Sequence, residues 1–168
     1  MGALVKSKVY SYKDYDKNLS LKAGHGLWLV VLYLLHPYIL LLSALRSSQG
    51  EAASLKNMVY PDNFSLTLAI LATIPALCFI YAWTRRNPGA SNIVQYIWRN
   101  GSMMLTLTAL LNVATVFVPL LLDIKHKIHM IGWAQLAISI LVIVYVQFSQ
   151  RVKDTFADFP GEKESGIT

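Results

Sequence analysis

Residues 26–45, "GLWLVVLYLLHPYILLLSAL", contain no Asp, Glu, Lys or Arg, yet they put an imidazole and a proline at their centre, His36 and Pro37. A hydrocarbon core about 30 Å thick takes about 20 mostly apolar residues of helix to cross, and this stretch has that length. Residues 64–83, 102–122 and 131–148 qualify as well, again without a formal charge. Helices buried in a soluble bundle carry a polar face that recurs every 3.6 residues, and these stretches show no charged face. The reading is an all-α membrane protein: one integral membrane domain over 1–168, built as a four-transmembrane-helix bundle.

Composition agrees. Of the 168 residues 55% are hydrophobic and 14% charged, against about 25% charged in soluble domains. Residues 1–25 lack a short apolar core followed by a small-residue cleavage site, so no signal peptide is expected. The single Cys78 lies inside the second span, which leaves no internal disulfide to form. The net charge of +6 is explained by threading and not by nucleic acid. Lys6, Lys8, Lys13, Lys17 and Lys22 precede the first span. Arg85, Arg86 and Arg99 follow the second, and Arg151, Lys153 and Lys163 follow the fourth. Only Arg46, Lys56, Lys125 and Lys127 fall in the other two loops. The positive-inside bias then puts both termini in the cytoplasm, with residues 150–168 as a cytoplasmic tail.

The segments between spans have patterns of their own. "YSYKDYDKNLSLK" (10–22) mixes tyrosines with lysines and suits either a headgroup surface or a solvated leader. In "RRNPGASNIVQYIWRNG" (85–101), a turn at Asn87-Pro88-Gly89 leads to Ser91 as N-cap. Ile93, Val94, Ile97 and Trp98 then share one helical face. This predicts a short in-plane cytoplasmic helix between helices 2 and 3, with those four side chains at the membrane surface. Val152, Phe156 and Phe159 repeat the spacing until Pro160-Gly161 ends it. Asp62 or Asn63 is placed to cap the second span.

At matched depth, each span carries a polar residue. The candidate membrane-interior layer is Tyr33, His36, Thr73, Asn112 and Ser139, with Gln135 on the face of Ser139. Prolines 37, 75 and 119 each leave a carbonyl without its helical donor, at Tyr33, Leu71 and Thr115. In lipid such carbonyls need other partners. Three readings of His36 and Asn112 follow: a hydrogen-bonded structural interior, a solute or proton path, or a ligand to a cofactor such as haem. No second intramembrane histidine exists, so a bis-histidine haem site within one chain is excluded, and no cofactor is expected. Asp123, His126 and His129 in "DIKHKIH" are read as an interfacial loop and not a metal site. Ser65, Ala69, Ala72 and Ala76 form a small-residue stripe fit for close helix packing, within the bundle or between protomers. No set of acid, base and nucleophile converges, and no phosphate loop is present. The expected function is a non-enzymatic accessory or interaction subunit of a membrane assembly, and the alternative is a small oligomeric transporter or channel with its path along the His36/Asn112 layer. Expected partners are membrane lipids and another membrane protein or a second copy, with no nucleic acid.

"YKDYDKNLSLK" (12–22), Trp28, "YPD" (60–62), "IPA" (74–76), "WRNG" (98–101) and "DTFADFP" (154–160) resemble the YfeZ-like family of small bacterial inner-membrane proteins. The resemblance implies a multi-pass protein of the bacterial inner membrane. It implies no activity, cofactor or catalytic residue.

Overall fold

The computed structural model describes residues 12–15, 21–46, 51–60, 62–122 and 130–160. Its elements among these residues are helical, apart from a single antiparallel bridge between Tyr15 and Leu21. After a 3-10 turn at Tyr12–Asp14 come α1 (His25–Leu34), α2 (His36–Arg46), α3 (Glu51–Val59), α4 (Asn63–Ala72) and α5 (Ile74–Thr84). The short α6 (Asn92–Arg99) precedes two long helices, α7 (Gly101–Leu121) and α8 (Met130–Phe148), and α9 (Gln150–Ala157) is the last of the described helices.

Three helical stretches are long and apolar enough to cross a membrane: α4 with α5 as Asn63–Thr84, then α7, then α8. At 1.5 Å per residue the first, of 22 residues, is about 33 Å long, enough for the hydrocarbon core. Each begins within one residue of the boundary read from the sequence. Their outward faces are apolar, with Leu71 55%, Leu110 52% and Leu141 67% exposed.

The stretch at 26–45 departs from the expectation of one continuous helix. It is two helices that meet at Leu35 and diverge by 58°. Pro37 causes the break, because its ring excludes the bond that would tie position 37 to the Tyr33 carbonyl. By contrast, Pro75 sits in the first turn of α5, where a missing N–H costs little. Pro119 falls in the last turn of α7, which runs on to Leu121. Asp62 makes the expected cap: Ser65 N–H donates to Asp62 Oδ1 at 2.6 Å and Ser65 Oγ to Oδ2 at 2.8 Å.

Helix α7 is the hub, touching α8, α5, α4, α1, α6 and α9. The small-residue stripe is spent inside this bundle. Ser65, Ala69, Ala72 and Ala76 are all buried, which lets α4 and α5 come close to α7.

The other end of α7 holds an aromatic core. Trp98 of α6 is fully buried and stacks on Phe79 with ring centroids 5.8 Å apart. It meets Phe156 edge-on at 5.4 Å and Trp83 at 6.4 Å. This corrects the reading of α6. The helix forms where expected, with Ser91 at its N-cap position, but its four apolar residues divide. Val94 and Trp98 face the protein, Ile93 is 69% exposed and Ile97 is half-buried. The aromatic pocket formed by α5 and α9 outcompetes the membrane surface for Trp98. Val152, Phe156 and Phe159 of the tail are buried in the same core.

Candidate functional site

His36 stands at the α1–α2 break, and its surroundings explain why a histidine precedes Pro37. Its Nδ1 lies 2.6 Å from the Tyr33 carbonyl, the acceptor that Pro37 leaves without its helical donor. A carbonyl only accepts, so Nδ1 carries the proton. Nε2 then accepts from the Tyr60 hydroxyl at 2.7 Å. Burial pushes the Tyr60 phenol above its ordinary range, which keeps it an O–H donor. The imidazole thus replaces the lost backbone bond and also ties the break to the residue that follows α3.

The second half of the cluster starts at Tyr33. Its hydroxyl donates to the Gln135 carbonyl at 2.9 Å and lies 2.8 Å from Ser139 Oγ, fastening α1 to α8. The Gln135 side chain also faces the Tyr60 hydroxyl. The rings of Tyr33, His36 and Tyr60 are stacked in sequence, with centroids 5.3 and 6.0 Å apart. Residues far apart in sequence are therefore joined: α1, α2, the end of α3, and α8.

Of the five residues read as a layer, Tyr33, His36 and Ser139 share this network. Thr73 and Asn112 are fully buried, and their side chains donate to carbonyls one turn earlier in the same helical stretch. Thr73 Oγ1 donates to the Ala69 carbonyl at 2.8 Å, and Asn112 Nδ2 to the Thr108 carbonyl at 3.2 Å. Asn112 Oδ1 is buried without a hydrogen-bond partner. Sequence reading missed Tyr60, whose place beside a Pro-Asp capping segment marked it as the end of a loop. It placed Gln135 on the correct face of α8 but left it outside the layer.

A second polar cluster at the other end of the bundle had no local signal. Leu21 N–H donates to Asp158 Oδ2 at 2.8 Å across 137 residues of chain. The Arg86 guanidinium donates to the carbonyls of Leu21 and Asp158 and lies 4.2 Å above the Trp98 ring. Asp14 pairs with Arg151 at 2.9 Å. The segment before α1 and the segment after α8 are therefore clasped together over the aromatic core. Gly101 admits this packing, because a Cβ there would overlap the Phe156 ring.

Among the described residues, no three of His, Cys, Asp and Glu cluster as metal ligands. Asp123, His126 and His129 lie outside the described residues. No curated protein and no solved structure matches the chain. A family model does match, over residues 10–158, and its description is a protein of unknown function, DUF2919. The match takes in both polar clusters and every described helix, and the chain belongs to the DUF2919 family.

Proposed function

We propose that this protein is a non-enzymatic accessory or interaction subunit of a membrane assembly. In this reading it crosses the bacterial inner membrane four times, keeps both termini in the cytoplasm, and falls with the YfeZ-like group on the stretches quoted above. The observation that carries the reading is the closure of the His36 cluster. Both ring nitrogens are engaged within the chain, one of them on a backbone carbonyl. A proton relay needs groups that both take up and release a proton. The Tyr33 carbonyl only accepts, so the row Tyr60–His36–Tyr33 ends there.

The fourth crossing is supported by connectivity. Leu21, just before α1, touches Asp158 beyond α8, whereas α4 starts at the opposite end of its span from Arg86. In this reading the bent pair carries the chain from one end to the other, and α3 leads on to the start of α4. The excess of Lys and Arg in the clasped segments and the α5–α6 loop supports placing that end in the cytoplasm. Helix α6, with Ile93 and Tyr96 exposed, fits an in-plane position at headgroup depth. The partner surface is an apolar helix face. Only 17% of the apolar stretch of α8 is buried against the rest of the described residues, which leaves an apolar face for lipid, another membrane protein or a second copy.

The test pairs stability with transport. Wild type and His36→Gln, purified in detergent and then reconstituted, are compared for unfolding temperature and for proton flux into liposomes. Both are expected to show flux no greater than empty liposomes. Robust wild-type flux that a well-folded His36→Gln variant loses would replace this reading with the transporter.

A further inference from the structure

The turn that joins α5 to α6 walls a groove of about 250 Å³. Tyr81, on α5, and Arg85, at its C-cap, are four residues apart and share a face. Asn87 comes from the turn, Ser91 from the N-cap position of α6, and the buried Val94 adds an apolar contact. All four polar side chains can donate: a guanidinium from Arg85, an amide from Asn87, and hydroxyls from Tyr81 and Ser91. None of the four holds a hydrogen bond or ion pair within the described residues, and Ser91 does not cap its own helix. The acidic side chains described at this end are engaged elsewhere: Asp14 by Arg151, Asp158 by the Leu21 N–H and Asp154 by Gln150. No carboxylate lines the groove, and the chain has neither Asp nor Glu between Asp62 and Asp123.

We infer that this groove binds one phosphate group, carried by an acidic lipid headgroup or by a soluble phosphate ester. The planar fork of Arg85 pairs with two phosphate oxygens. The remaining oxygens of a tetrahedral phosphate point in other directions, where Asn87, Ser91 and Tyr81 offer donors. A planar carboxylate would be satisfied by the fork alone and leave those donors unused. The charge of Arg85 also suits the C-terminal end of α5, but that role does not account for three further open donors around the same groove. Tyr81 is 54% exposed and stands one turn back along the apolar helix, where a tyrosine ring sits at headgroup level. That placement suits a phosphate presented from the bilayer side.

The test has two arms, both on the full-length protein. In the first, protein is extracted from vesicles of equal phosphatidylglycerol and phosphatidylcholine, and the co-purifying lipid is measured by mass spectrometry. In the second, the unfolding temperature in detergent is compared in inorganic phosphate and in chloride at matched ionic strength. A headgroup source predicts about five-fold preference for phosphatidylglycerol, the effect of one arginine at an anionic surface, and inorganic phosphate should not compete it away. A soluble source predicts a higher unfolding temperature in phosphate. Whichever response appears should vanish in Arg85→Gln. It should vanish too in Gly89→Glu, which sets a carboxylate on the groove wall where an added Cβ meets nothing within 4 Å. Lys153→Gln removes the same charge from an exposed site outside the groove and should keep the response. If Arg85→Gln lowers stability by itself, Gly89→Glu decides. A wild type without either response, a response untouched by Gly89→Glu, or one lost equally in Lys153→Gln would each overturn the assignment. The headgroup arm rests on the membrane placement proposed above, which is read separately by whether the protein stays with membranes after a high-salt wash.

Discussion

His36 and Pro37 act as a pair: the proline removes a donor from the Tyr33 carbonyl, and the histidine before it returns one. This makes their substitutions interdependent. His36→Leu leaves that carbonyl and the Tyr60 hydroxyl without the ring, and is expected to cost about 1 kcal/mol, in keeping with polar contacts inside membrane helices. Adding Pro37→Ala restores an N–H at the position that normally serves the Tyr33 carbonyl. The double variant should therefore unfold at a higher temperature in detergent than His36→Leu alone. If it unfolds at the same temperature or lower, the pairing is wrong. Asn112 gives the opposite expectation. Its Oδ1 is buried without a partner and its amide makes only one long bond. Asn112→Leu should be neutral or stabilising, since removing an unsatisfied polar atom relieves its desolvation cost. A loss above about 1 kcal/mol, the size of a typical net hydrogen bond, would show that Asn112 has an essential partner. The sequence marked both residues as polar intrusions in apolar runs. It could not rank them, because the partner that sets His36 apart is Tyr60, on another helix.

Helix α6 shows where periodicity informs and where it stops. The helix expected from the spacing of Ile93, Val94, Ile97 and Trp98 forms over Asn92–Arg99, with Val94 and Trp98 buried and Ile93 exposed. Periodicity does not say what the face meets. The competitor was an aromatic pocket built from Phe79, Trp83 and Phe156, residues that no local pattern connects to α6. The outcome has a mutational signature. Trp98→Ala should cost about 3–5 kcal/mol, as for other fully buried large aromatics, whereas Tyr96→Ala at the exposed face should stay within about 0.5 kcal/mol. Thermal unfolding of the two variants separates the readings, since a surface-seated Trp98 would behave like Tyr96. Gly101→Ala presses a methyl group into the Phe156 ring, and such overpacking costs about 1–3 kcal/mol. It should also raise protease sensitivity near residue 150 as the tail is displaced. An unchanged cleavage pattern would mean that Phe156 is not held against α7.

The spans themselves were the most legible feature, because the bilayer imposes a length and a composition that each run had to meet alone. Three of the four runs are helices of spanning length within one residue of the expected bounds, and the fourth is the broken pair around Leu35. The clasp was invisible for the complementary reason. It joins Leu21, Arg86 and Asp158 through bonds between segments 65 to 137 residues apart, and no pattern within one segment announces them. Yet the clasp is what turns a list of spans into a threading. It holds the two ends of the membrane domain together, so the number of crossings between them must be even. With three stretches of full length among the described residues, the reading proposed above assigns the fourth crossing to the bent pair. Impermeant thiol labelling of intact cells tests this directly, using single cysteines at Tyr12, Asn92 and Ser54 in a Cys78→Ser background. The account predicts that the cysteines at 12 and 92 stay protected until the membrane is opened, and that the one at 54 is labelled at once. A cysteine at 54 as protected as that at 12 would mean that the bent pair turns back without crossing, and would contradict the four-crossing reading proposed here.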